Sequence, residues 1–314
     1  MGFDLDLCQS DSGEAGRLTS QEFAADRDLM KTPFNRIEID QLIATVTYEQ
    51  RINEVPTLDA SLWYSSMDRL SRRSAMFTAA ANEPASTAID KQEFANYGFD
   101  VRYAKYWGDE HVLTFGTTGY LGDSPRTRHV SNNIRYNQQN RADLVFEQDR
   151  IMTYNALFIE NLFRFGMLSG LPTVRFERVN YDLKEAVKNE RLSRAPIDID
   201  ATRNETLFVL SLAYQAGARS EIYANFSEPY RPQRFDDLIN PNSELAGDNG
   251  PDISRAVNYE IGRRSKPTDN LVFDISLFRI DFEDKIEQIQ VNITDVERVN
   301  SGDSRHQGIE FSVE

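Results

Sequence analysis

The chain keeps a strict beat. Segments in which apolar and polar residues alternate are joined in turn by a tight connection and then by a long polar one. From the C-terminal side, Arg305–Glu314 alternates, the long stretch Glu283–Ser304 precedes it, and Asn270–Phe282 alternates before that. A tight turn at Lys266–Asp269 leads back to an alternating segment at Ala256–Arg264. Period-two alternation is the mark of an extended strand with two different faces. The short–long beat predicts an all-β, antiparallel up-and-down meander of about twelve strands, with tight turns at one rim and long loops at the other.

The predicted tight connections are Arg51–Pro56, Trp107–Glu110, Gly166–Gly170, Gln215–Arg219 and Lys266–Asp269. The predicted long loops are Gln9–Glu38, Arg69–Gln92, Leu121–Val145, Leu183–Ala201, Glu228–Ser254 and Glu283–Ser304. One face of each strand reads apolar: Tyr97, Phe99, Val101 and Tyr103; Tyr259 and Ile261; Ile309, Phe311 and Val313. The other carries Asp100 and Arg102, Glu260, and Glu310. Such faces suit lipid outside and water inside, since a charge at the lipid midplane costs roughly 2–4 kcal/mol. In Leu271–Phe282 the apolar phase moves at Phe278, which predicts a bulge or an extension beyond the membrane. Aromatics gather near the tight turns (Tyr48, Tyr106, Trp107, Phe163, Phe165, Tyr214), as an interfacial girdle would.

Composition agrees with spanning by strands. Only 40% of the 314 residues are hydrophobic, and mean hydropathy is -0.55. No apolar run reaches the length of a membrane helix. A net charge of -15 argues against nucleic acid as a partner. A single cysteine, Cys8, and the absence of Cys/His metal spacing leave no disulfide or metal site to expect. Histidine occurs only at His111, His129 and His306, with no HExxH, GxSxG, P-loop or GxGxxG, so no enzyme and no cofactor is expected.

The candidate ligand-binding residues are basic and aromatic. The stretch after Gly119 carries Arg126, Arg128, His129, Arg135 and Tyr136, positive charge set against an acidic average. Guanidinium forks match oxygen-rich anions. Arg231 and Arg234 form a second group, and Arg72 with Arg73 a third. Contact with lipopolysaccharide phosphates is the competing use of such a loop.

Several stretches resemble one family. Ile222–Leu238 (IYANFSEPYRPQRFDDL), Asn258–Gly262 (NYEIG), Asn270–Ile286 (NLVFDISLFRIDFEDKI) and Asn300–Glu310 (NSGDSRHQGIE) are similar, in order and spacing, to segments of TonB-dependent outer-membrane receptors. Glu160–Phe165 with Val174–Glu177 is a weaker match, and Arg69–Ser74 resembles the ferric-citrate-type branch. The resemblance implies a 22-stranded transmembrane barrel in a Gram-negative outer membrane, taking up a ferric siderophore or another metal chelate, the chelate being cargo rather than cofactor. It implies contact with outer-membrane lipid and lipopolysaccharide, and with the TonB complex through an N-terminal region. Residues 1–314 are expected to be an internal part of that barrel, without signal peptide, plug or last strands. A passive porin-like channel and a soluble β-rich binding protein stay open as alternatives.

Overall fold

The computed structural model describes the chain apart from residues 14–17, 31, 33, 53–54, 78–83, 109, 134, 136, 191–194, 240–250, 291–295 and 314. The strands are β1 (Gly2–Gly13), β2 (Arg36–Ile52), β3 (Val55–Phe77), β4 (Pro84–Trp107), β5 (His111–Asp123), β6 (Arg126–Ser131), β7 (Leu144–Phe165) and β8 (Leu168–Lys188). They continue as β9 (Asp198–Gly217), β10 (Ser220–Ser227), β11 (Tyr230–Arg231), β12 (Ser254–Thr268), β13 (Leu271–Glu283), β14 (Ile286–Gln290), β15 (Val296–Asn300) and β16 (Ser304–Val313). Among the described residues two short α-helices, α1 (Ser20–Ala25) and α2 (Phe235–Leu238), and a 3-10 turn at Arg141–Asp143 lie in the loops.

Fourteen strands form one sheet, in the order β1-β2-β3-β4-β5-β7-β8-β9-β10-β12-β13-β16, with β6 and β11 beside that path and β14-β15 a separate hairpin. Twelve strands thus meander as neighbours, all antiparallel. The five tight connections fall together at one rim, between β2 and β3, β4 and β5, β7 and β8, β9 and β10, and β12 and β13. At one of them Phe165 pairs with Leu168, leaving a two-residue loop. Gly166 takes φ 60° in its first central position, which a side chain would resist.

Register separates the two faces. Ile261 pairs with Leu277, and Leu277 with Ile309, so these residues share one face. The same face carries Tyr97, Phe99, Leu157, Ile159, Phe208, Leu210, Leu212 and Tyr214, all widely exposed. It is a belt of apolar side chains about four outward positions tall, the outer face of a membrane wall. Toward the loops it gives way to Asn204, Thr202 and Asp200 on β9 and to Arg279 and Asp281 on β13. At the tight-turn rim Trp107 meets His111 at 4.5 Å and Phe163 at 6.0 Å between ring centroids, and its indole donates to Asn161 at 2.8 Å.

Asp100, Arg102, Glu260 and Glu310 take the opposite, inner face. Side chains from alternate strands meet there: Tyr223 on β10 donates to Asp274 on β13 at 3.0 Å, and Arg102 on β4 lies 5.8 Å from the Phe158 ring on β7. Backbones two strands apart are about 10 Å distant, a span that side chains as long as Tyr and Arg cross, so these contacts tie alternate strands together on the polar inner face. Large inner aromatics lie across strands on glycines. The Trp63 indole occupies the space where a Cβ at Gly98 would sit, and Tyr223 does the same over Gly262. Gly98→Val is therefore expected to lower stability by about 1–3 kcal/mol through overpacking. A denaturant melt of the folded barrel, followed by Trp63 fluorescence, checks it.

The expected bounds of the long loops need correction. The ladders run on well beyond the apolar belt: β3 reaches Phe77, β4 starts at Pro84, β8 reaches Lys188, β9 starts at Asp198, and β6 lies inside the expected Leu121–Val145 loop. Outside the belt both faces are polar, so hydrophobic alternation fades while backbone pairing continues. Of the two readings of Phe278 the extension holds: β13 runs on past the belt, with Arg279 and Asp281 on its outer face, and does not bulge. Its register against β16 is unbroken from Phe273 to Phe282, and the Phe278 ring turns inward over Gly308.

Candidate functional site

The site is built where β6 replaces β5 beside β4 and β7. Arg126 pairs with Gln92 and Gln148, and Arg128 with Asp90 and Phe146, which points both guanidiniums to the inner face beyond the belt. On β7, Gln148 and Arg150 share that face. Across them lies the segment carrying α2, which folds onto the inner wall. Its Leu238 and Ile239 pack with Val179, Tyr181, Leu183, Ile197 and Ile199 in the buried core, with Phe235 at the margin. Tyr181 donates to the Gln233 carbonyl at 2.8 Å, and Tyr230 to Glu177 at 2.7 Å. Burial, then Glu177, raises the Tyr230 hydroxyl above its ordinary range, so this tie persists at neutral pH.

Three carboxylates organise the cations. Asp90 is buried and takes Arg128 as a two-pronged fork, 2.8 Å to each oxygen, with Arg126 and Arg73 each at 3.2 Å. Burial would raise this carboxyl, but Arg128 and Arg126 outweigh it and hold it below the usual carboxylate range. Asp237 is fully buried, bonded by Arg231 at 2.8 Å and approached by Arg298 at 3.5 Å. Asp236 stands half-exposed over Arg126 at 3.3 Å and Arg150 at 3.4 Å. Arg150 also forks onto Gln148 at 2.7 and 3.2 Å, and Gln148 is fixed in turn by Glu185 at 3.0 Å. Burial lowers the Arg150 guanidinium to about 10, still charged at neutral pH.

Between these groups lies a cavity of about 190 Å³ lined by Arg126, Arg128, Phe146, Gln148, Arg150, Asp236, Ile239 and Arg298. Four guanidiniums thus face one lining carboxylate, and the Phe146 ring backs Arg126 and Arg128 at 5.5 and 5.4 Å. A rigid, partly desolvated arginine surface of this kind binds carboxylate or phosphate oxygens. A larger inner-wall groove of about 810 Å³ is lined by Glu260, Asp274 and Glu310 with Arg264, the wrong charge for an anion.

Of the residues expected from sequence, Arg126 and Arg128 line the cavity, but from a strand rather than from a loop at the mouth. Arg73 joins through Asp90, and Arg231 and Arg234 through Asp237. His129 alternates with Arg128 and so turns to the outer side, buried, its basicity lowered by burial. Arg135 rests over the Phe34 ring at 5.4 Å, and Arg72 donates to the Phe34 carbonyl at 3.1 Å, both off the cavity. Tyr136 lies outside the described residues. Missed were Asp90, Gln148, Arg150, Asp236, Asp237 and Arg298. One signal was available, because Gln148 and Arg150 repeat the two-residue spacing of Arg126 and Arg128.

The matching family model is that of the TonB dependent receptor-like β-barrel, over residues 9–314. The chain belongs to this family. It is a β-barrel wall of the Gram-negative outer membrane, and the soluble reading gives way to that. No curated protein matches it by sequence. Among solved structures it is similar to the ferric citrate transporter FecA in its unliganded form, with TM-score 0.78 and 15% identity, over 99% of this chain and 44% of that one. It is similar to the alcaligin outer-membrane receptor FauA of Bordetella pertussis, with TM-score 0.60 and 12% identity, over 99% and 46%. The copper transporter OprC gives TM-score 0.64 and 13% identity, over 90% and 45%. The chain spans less than half the length of each of these three relatives.

Proposed function

We propose that the chain builds part of the barrel of an uptake receptor whose cargo is an anionic metal chelate, a ferric siderophore or a similar complex, held on the inner wall by Arg126, Arg128, Arg150 and Arg298. The observation that carries this reading is an inner-wall cavity on the loop side of the apolar belt lined by four guanidiniums and the carboxylate of Asp236, with Asp90 and Asp237 pairing the cations from outside the lining. The structural neighbours that handle ferric citrate and copper support a transport role. In this proposal the rest of the receptor supplies the remaining wall, a plug, and the segment through which TonB supplies energy. Outer-membrane lipid and lipopolysaccharide surround the belt.

The test uses the intact receptor with two probes, ferric citrate as an anionic chelate and a neutral ferric trihydroxamate. Arg150→Ala or Arg298→Ala is expected to remove a charge-assisted hydrogen bond worth about 1.5–3 kcal/mol, which is about tenfold to hundredfold in affinity for ferric citrate. The neutral chelate is expected to be untouched. Equal losses for both chelates, or unchanged ferric citrate binding, would sink the proposal.

A further inference from the structure

The three carboxylates at the cavity are not alike. Asp90 is 5% exposed in its side chain and takes a bidentate guanidinium, and Asp237 is 0% exposed. Asp236 is 48% exposed, although its partners Arg150 and Arg126 are only 6% and 14% exposed. Both guanidiniums reach the same Asp236 oxygen, Oδ1, at 3.3 and 3.4 Å. Charge-assisted bonds at their optimum are about 2.7–2.9 Å, and the second oxygen of Asp236 bonds neither arginine. Arg150, and Arg126 beyond its bond to Asp90, thus share one loosely placed, solvent-facing anion beside a cavity.

We propose that Asp236 is a stand-in for the ligand: its carboxylate occupies the place on Arg126 and Arg150 that a carboxylate or phosphate group of the cargo takes. A bidentate ligand group gives each guanidinium an oxygen of its own, where Asp236 offers both the same one. Its entry releases Asp236 to solvent, where it already stands half-exposed. Because Arg298 on the β14–β15 hairpin donates to the Asp236 backbone carbonyl, the exchange is felt by that hairpin as well. This inference rests on the arginine cavity being the ligand site.

The experiment titrates metal-free citrate into the intact receptor by calorimetry. Asp236→Asn keeps the shape and removes the competing charge, so it is expected to tighten citrate binding about tenfold. A structural tie predicts the opposite sign, and unchanged or weaker binding overturns the stand-in. The double variant Arg126→Ala/Arg150→Ala separates the two ideas. If it binds citrate as well as the parent, the cavity is not the ligand site. If it loses citrate while Asp236→Asn gains nothing, only the stand-in fails. Should Asp236→Asn not fold, Asp236→Ser decides in its place: it too removes the competing charge, so citrate is expected to bind about tenfold tighter, and unchanged or weaker binding refutes the proposal.

Discussion

Replacing Asp90 by Ala is expected to destabilise the loop-side half of the wall by about 3–5 kcal/mol. The carboxylate is buried and binds Arg128 through both oxygens, Arg126 and Arg73 through one each. Its removal leaves Arg126, itself largely buried, with Asp236 as its remaining ion-pair partner. Breaking a buried pair from one side costs far more than the pair contributes, because the other charge stays desolvated. Thermal melts of the intact receptor check the size of the effect. An Asp90→Ala/Arg128→Ala cycle separates loss of the fork from general loosening. A loss below about 1 kcal/mol would place Asp90 with ordinary exposed ion pairs.

The same carboxylate sets an acid limit. Asp90 is held below the usual carboxylate value near 3.9. A group whose folded pKa is depressed contributes its stability fully above the unfolded value and loses it as pH falls through the folded one. The network is therefore expected to be unchanged from neutral pH down to about 5 and to weaken only below about 4. In Asp90→Ala that acid-dependent part is expected to vanish, which pH-dependent melts of the two proteins check.

The meander was legible because membrane strands write both faces into the sequence. Tyr97, Phe99, Ile261 and Phe311 read as one face from alternation alone, and the five tight turns read from the breaks between runs. What was not legible lay beyond the belt. There β6 and the ends of β3, β4, β8 and β9 are polar on both sides, and alternation no longer tells strand from loop. Arg126 and Arg128 stood out as unusual charge in an acidic chain, although their stretch read as a loop; on β6 the two-residue spacing puts both on one face, with Thr127 between them on the other. The partners could not be found that way. Asp90, Asp236 and Arg298 come from three distant stretches, and only the fold of the α2 segment onto the inner wall brings them together.

Arginine at position 210 is expected to cost about 2–4 kcal/mol, whereas arginine at the next residue, 211, is expected to cost under about 1 kcal/mol. The two positions are adjacent in sequence but opposite in environment. Leu210 is 39% exposed between Phe208 and Leu212, near the middle of the apolar belt on β9, where lipid is the solvent. Ser211 pairs with Leu171 and Asn225 and faces the inner wall, where polar side chains and water receive a guanidinium. In lipid a charge must snorkel or thin the bilayer, and neither is easy from the belt's middle. Folding into vesicles, with stability read by denaturant titration, distinguishes the two. A soluble protein would reverse the ranking, because Leu210 would then face water and Ser211 the more crowded side. Equal costs at both positions would refute the assignment of the apolar face to lipid, and with it the inside of the wall on which the arginine cavity depends.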